Sequence, residues 1–86
     1  MAFEQTWADI QRFAGETFYR LSGQAFTYEA HAGHLKLSTL DQPVKKSDVE
    51  RACAAGRPAT VTQLKELGLP GPSHIFAILT DPRITV

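Results

Sequence analysis

Apolar residues return at helical spacing at the start of the chain: Phe3, Trp7, Ile10, Phe13 and Ala14 share a face, and Glu4, Asp9, Gln11 and Arg12 fill the rest of the turn. The spacing predicts an amphipathic helix over residues 3–14, closed by Gly15. Continuation through Phe18 and Leu21 would place a glycine inside the helix at about 1 kcal/mol. Thr17-Phe18-Tyr19-Arg20 has strand composition and Leu21-Ser22-Gly23-Gln24 turn composition, so a short first strand is expected instead. Alternation then takes over. Phe26, Tyr28 and Ala30 alternate with Thr27, Glu29 and His31, and after Ala32-Gly33 the residues His34, Lys36 and Ser38 alternate with Leu35 and Leu37. A two-residue turn fixes the register, with His31 opposite His34, Ala30 opposite Leu35, Glu29 opposite Lys36, Tyr28 opposite Leu37 and Thr27 opposite Ser38. One face of that hairpin is apolar, and the other carries an opposite-charge pair.

Three short helices follow in the pattern. Ser47-Asp48-Val49-Glu50 has the chemistry of a capping box and opens a helix that turns Val49, Ala52 and Cys53 inward and ends at Gly56, with Pro58 just beyond. Thr60-Val61-Thr62-Gln63 repeats the box, and Leu64, Leu67 and Gly68 outline a two-turn helix. In the last stretch Pro72 suits the first helical position and Pro82 keeps Asp81 out of the α region, so the closing helix cannot pass Thr80. A helix this short draws its stability from packing. Phe76, with Ile75 and Leu79, is expected to be nearly solvent-free against the hairpin, its truncation to alanine costing about 3–5 kcal/mol. The predicted fold class is α+β in the order α-β-β-β-α-α-α, an N-terminal helix and three C-terminal helices on one face of a three-stranded antiparallel meander, as a single domain over residues 1–86.

Composition narrows the class. A chain of 86 residues, 43% hydrophobic and 21% charged, suits one modest core, and dimerisation is a common way for such a domain to bury more surface. The single cysteine, Cys53, cannot form an internal bridge and sits on an apolar helical stripe, which points to a reducing, cytoplasmic setting and an inert core thiol. Neither a signal-peptide pattern nor an apolar run of membrane-spanning length is present, so no membrane partner is expected. The formal net charge is zero, yet residues 31–65 carry Lys36, Lys45, Lys46, Arg51, Arg57 and Lys65 against Asp41, Asp48 and Glu50.

With Phe26-Thr27-Tyr28-Glu29, Ser47-Asp48-Val49-Glu50-Arg51-Ala52 and the ending from Gly71-Pro72-Ser73-His74 to Asp81-Pro82-Arg83-Ile84 in view, the chain resembles a group of small bacterial proteins of no established activity. Those proteins share an F-T-Y strand and a G-P-S-aromatic…A-I-L-x-D-P-R-I ending. The resemblance covers roughly residues 10–84 and implies an architecture and no catalytic residue, with His74 standing where the pattern is aromatic.

Candidate chemistry is sparse. His31 and His34 share a strand face beside the turn, but with Glu29 matched to Lys36 nothing completes a metal set, and no metal or cofactor is expected. Ser73 and His74 lie at a helix start, where free N–H groups can hold an anion; structural capping by Ser73, with His74 packed over Ile78, competes with that reading. Asp81 can accept from the Arg83 N–H across Pro82 or pair with the guanidinium, which makes a structural turn. The helix pair 48–55 and 61–67 has helix-turn-helix proportions. Lys45, Lys46, Arg57, Thr60, Thr62, Gln63 and Lys65 supply groups that could meet phosphates and base edges, although Glu66 opposes the basic face. No carboxylate pair, nucleophile–base pair or phosphate loop points to an enzyme. The expectation is a small non-enzymatic binding module, regulatory or nucleic-acid-associated. The alternative is a protein-interaction or homo-oligomeric module, joined through the sheet edge or the Phe3 and Trp7 helix face.

Overall fold

The computed structural model describes residues 3–56 and 60–84. In chain order it contains α1 (Phe3–Arg12), β1 (Phe18–Tyr19), β2 (Ala25–Phe26), β3 (Tyr28–Ala30), β4 (His34–Leu37), β5 (Val44–Lys45), α2 (Lys46–Ala55), α3 (Val61–Glu66) and α4 (Pro72–Leu79). The fold is α+β. Strands β1 and β2 form a two-stranded ribbon, and β3, β4 and β5 form a second sheet with β4 at its centre, every pairing antiparallel.

Helix α1 buries Thr6, Trp7, Asp9 and Ile10 and carries Arg12 in its last turn, where a cation suits the helix dipole. Past its end the Ala14 N–H turns back to Gln11 O, and Gly15 takes a left-handed φ of 89° that closes the turn. The Ile10 carbonyl is then met from outside the helix by the Tyr28 hydroxyl at 2.6 Å, while the Gly15 N–H donates to the Tyr28 carbonyl at 2.9 Å. One buried tyrosine therefore ties the helix end to the sheet twice. Burial pushes the phenol's pKa well above its ordinary value.

The hairpin adopts the register its alternation predicts: Tyr28 opposite Leu37, Glu29 opposite Lys36 and Ala30 opposite Leu35, with the His31 N–H donating to His34 O across the turn. Three features depart from the expected meander. The stretch from Ala25 to Ala30 divides at Thr27 into two strands of different sheets, because Thr27 turns both its backbone groups to Ser38: its N–H donates to Ser38 Oγ and its carbonyl accepts from the Ser38 N–H. That break lets Phe26 and Tyr28 both lie in the core on either side of it. A fifth strand, β5, pairs Val44 with Leu35 and Lys45 with His34. It runs directly into α2, which therefore starts at Lys46 and not after Ser47. The Lys46 N–H is satisfied by Gly33 O in the hairpin turn and the Lys45 N–H by Asp48 Oδ2, so the expected Ser47–Glu50 box is displaced.

Helix α2 buries Val49, Ala52 and Cys53 as the spacing requires. The expected stop beyond it, Pro58, lies outside the described residues, as does Arg57. Helix α3 has its reciprocal cap, with the Gln63 N–H donating to Thr60 Oγ1 and the Thr60 N–H to Gln63 Oε1, and Gly68 closes it with φ 72°. Gly71, at φ 57°, precedes Pro72 at the first turn of α4, and a Cβ there would stand 2.6 Å from Leu40 Cδ2, so both conformation and space favour glycine. Helix α4 ends at Leu79, with both the N–H and hydroxyl of Thr80 donating to Phe76 O.

Ile10, Leu35, Val44, Val49, Ile75 and Ile78 meet in a seam with no room for a water molecule. The expectation for Phe76 is corrected: it is only partly buried, whereas His74, Ile75, Ala77, Ile78 and Leu79 are buried. Ile75, Ile78 and Leu79 fall at i, i+3 and i+4 and form the inward stripe, which places Phe76 on its flank. Trp7 is likewise no open face. It is 5% exposed, tilted against Phe3 and covered by the Lys46 ammonium 5.8 Å from its ring centre.

Candidate functional site

The β1–β2 ribbon carries the strongest contrast between its two faces. Phe18 pairs with Phe26 and both rings are buried, in tilted contact with each other; Tyr19 pairs with Ala25 on the other face, and both are exposed. The Arg20 N–H donates to Gln24 O and the Gly23 N–H to Arg20 O, closing a tight tip at which Gly23 has φ 89°. Tyr19 and Leu21 are 64% and 76% exposed, the large hydrophobic side chains left in solvent among the described residues. Between them Arg20 turns back to the body: its Nε donates to Ser73 Oγ at 3.0 Å and its Nη1 to Gln24 Oε1.

Two further contacts pin the ribbon to the C-terminal region. The Arg83 guanidinium lies 4.0 Å from the Phe18 ring centre, donates from Nη2 to Thr17 O, and forks onto Asp81 through Nε and Nη2. Asp81 also accepts the Arg83 N–H, and this hydrogen bonding holds its carboxyl below the usual carboxylate range. The expected turn across Pro82 thus reaches back to β1. On the other side, the His74 and Phe26 rings meet in a T-shaped contact with centres 4.9 Å apart. His74 Nε2 lies 2.7 Å from Thr39 Oγ1, and its buried Nδ1 has no hydrogen-bond partner among the described residues. Burial, and then the charge of Arg20, pushes this imidazole's pKa below its ordinary value.

The two residues expected at an anion site are therefore adjacent to one another but differently engaged. His74 is 5% exposed, and the Ser73 hydroxyl accepts from Arg20, with Gly71 in the capping position assigned to Ser73. Of the residues expected at a nucleic-acid surface, Lys45 is exposed on β5, Lys46 covers Trp7, Thr60 and Gln63 cap α3 with their side chains, and Thr62 and Lys65 are exposed on α3. Asp48, Glu50 and Glu66 are interspersed along the same two helices. Arg51, unassigned by the sequence reading, donates to Leu67 O and ties α2 to α3. His31 and His34 stack with ring centres 4.7 Å apart, and Glu29 Oε1 stands 3.8 Å from His31 Nε2, so the expected match of Glu29 to Lys36 is a register pairing and not an ion pair. Among the described residues no group of three or more His, Cys, Asp or Glu is placed to hold a metal ion.

A shallow cleft of about 230 Å³ lies over β3 and β4, with Thr27, Glu29, Lys36, Ser38, Leu40 and Asp41 around it. Its charges are mixed, which suits a wet surface better than proton-transfer chemistry. The exposed faces of Tyr19 and Leu21 escaped the sequence reading because strand composition marks residues 17–20 without saying which side is buried. No described helix is long and apolar enough to cross a membrane. Comparison with protein-family models, curated proteins and solved structures found no match.

Proposed function

We propose that this chain is a non-enzymatic protein-interaction module that docks another protein through the β1–β2 ribbon, with Tyr19 and Leu21 as the anchors. The observation that carries this reading is the exposure of these two large apolar side chains, two positions apart, on a ribbon pinned to the body from both sides. Tyrosine is enriched at protein interfaces because a rigid ring offers much contact area at small entropic cost, and a preformed ribbon keeps the ordering cost of docking low. The partner it suits presents an apolar pocket wide enough for an aromatic and an aliphatic side chain. The nucleic-acid reading draws less support, since Thr60, Gln63 and Lys46 already have partners within the fold and acidic side chains alternate with the free lysines.

The test is site-specific photocrosslinking in cells that express the chain, with the photoreactive group at position 19, at 21 and, as a control, at Glu66. A discrete protein adduct from 19 and 21, absent from 66 and lost when the other anchor is changed to serine, is the expected result. Adducts of equal yield from all three positions, or none, would overturn the proposal. So would salt-sensitive binding of DNA or RNA that survives replacement of both anchors. An adduct with a second copy of the chain would identify the partner as itself.

A further inference from the structure

We infer that His74 is a pH-sensitive pin: in its neutral form it holds the β1–β2 ribbon and the first turn of α4 together, and protonation releases both. The ring stands where the ribbon, α4 and the segment between β4 and β5 meet, in T-shaped contact with Phe26 and with Nε2 on Thr39. The neutral ring fits this place. Nε2–H can donate to the Thr39 hydroxyl, and the bare lone pair on Nδ1 needs no donor to remain there.

The imidazolium does not fit. Its second proton would sit on Nδ1, which is buried beside Gly71 and has no acceptor among the described residues. Among the described residues, the groups packed around the ring offer no compensating charge. Phe26 from β2 and Leu40 are apolar, Thr39 is neutral, Ser73 on α4 is neutral, and the charged group acting on it is the cationic Arg20 of the ribbon. A charged ring therefore gains by turning out to water. Its departure removes the Phe26 contact and the Thr39 bond, and loosens the neighbouring turn in which Ser73 holds Arg20. How His74 mounts the ribbon is independent of what the ribbon binds.

Amide hydrogen exchange between pH 7 and pH 5 tests it, corrected for the chemical exchange rate, on a background in which the other two histidines, His31 and His34, are changed to glutamine. The reporters are the Arg20 N–H, bonded to Gln24 O, and the Ile75 N–H, bonded to Gly71 O; the Leu64 N–H in α3 serves as reference. Opening at Arg20 and Ile75 should rise as the pH falls below about 6.5, approaching the one-proton limit of about tenfold per pH unit, while Leu64 changes less. His74→Gln should abolish the dependence. In case that variant does not fold, NMR titration of the His74 ring in the parent protein gives a second reading, and the midpoint should lie below 6.5. A ring that titrates at or above 6.5, pH-independent opening at Arg20 and Ile75, or the same dependence in the glutamine variant would each overturn the inference.

Discussion

Removing the hydroxyl of Tyr28 isolates one bond at the junction of α1 with the sheet. In Tyr28→Phe the ring still fills its place, and the change is confined to the loss of a 2.6 Å donation to Ile10 O. That carbonyl has no replacement within the helix, because the Ala14 N–H is committed to Gln11 O. A neutral buried hydrogen bond contributes about 0.5–1.5 kcal/mol net, and leaving a buried acceptor unmet raises the cost toward 1–3 kcal/mol. An expected loss of about 1.5 kcal/mol follows, or a fall in Tm of about 6–12 °C for a domain of this size. Urea unfolding followed by the Trp7 fluorescence should show a lower midpoint with an unchanged slope. The parent should also weaken above about pH 10: its folded-state phenol is raised, so the stability linked to it is intact below the unfolded value and drains away as the unfolded tyrosine ionises. Tyr28→Phe should flatten that alkaline limb. A variant within about 0.3 kcal/mol of the parent, the reproducibility of such a measurement, would show that water meets Ile10 O as well as the phenol does.

Truncating Ile75 to alanine should cost about 2–5 kcal/mol, whereas Phe76→Ala should cost clearly less than the ~3–5 kcal/mol typical of a fully buried phenylalanine, because Phe76 is only partly buried; denaturant midpoints decide, and equal losses would place the inward stripe of α4 elsewhere. Asp81→Asn should lower stability at neutral pH and remove part of the acid limb. Because the folded carboxyl is depressed, its contribution is present above the unfolded value near 3.8 and is lost as pH falls through the folded one; identical acid limbs in parent and variant would show that the Arg83 fork adds nothing.

Much of the fold is legible locally. The hairpin register follows from a two-residue turn and strict alternation, since a shift by one residue would have turned Leu35 and Leu37 to water. The cap of α3 is written in Thr60 and Gln63, and the limits of α4 in Pro72 and Pro82, because these depend on groups three residues apart or on a fixed φ. Less is legible where a backbone group finds its partner far along the chain. Ser47 has the right chemistry for a cap, but Gly33 O, reached only when the hairpin folds back, claims the Lys46 N–H and starts α2 earlier. The division at Thr27 depends on Ser38, and β5 has too few residues to announce itself.

For the candidate site the division runs the same way. His74 and Ser73 stood out in the sequence as a polar pair at the start of an apolar helix, and Asp81-Pro82-Arg83 as a self-contained turn. Their roles were decided by partners from distant segments: Arg20, Phe26 and Thr39 around the first pair, Thr17 and Phe18 beneath Arg83. Tyr19 and Phe18 are neighbours of similar composition, and only the packing of α4 and Arg83 on one side of the ribbon sends one ring inward and leaves the other in water. Sequence by itself determined the presence of the four helices, the hairpin and its register, because turns, caps and periodicity act over a few residues. Tertiary structure decided which polar groups are spent on holding the fold and which apolar surface remains free to bind, because burial is a property of everything packed nearby and not of the residue alone.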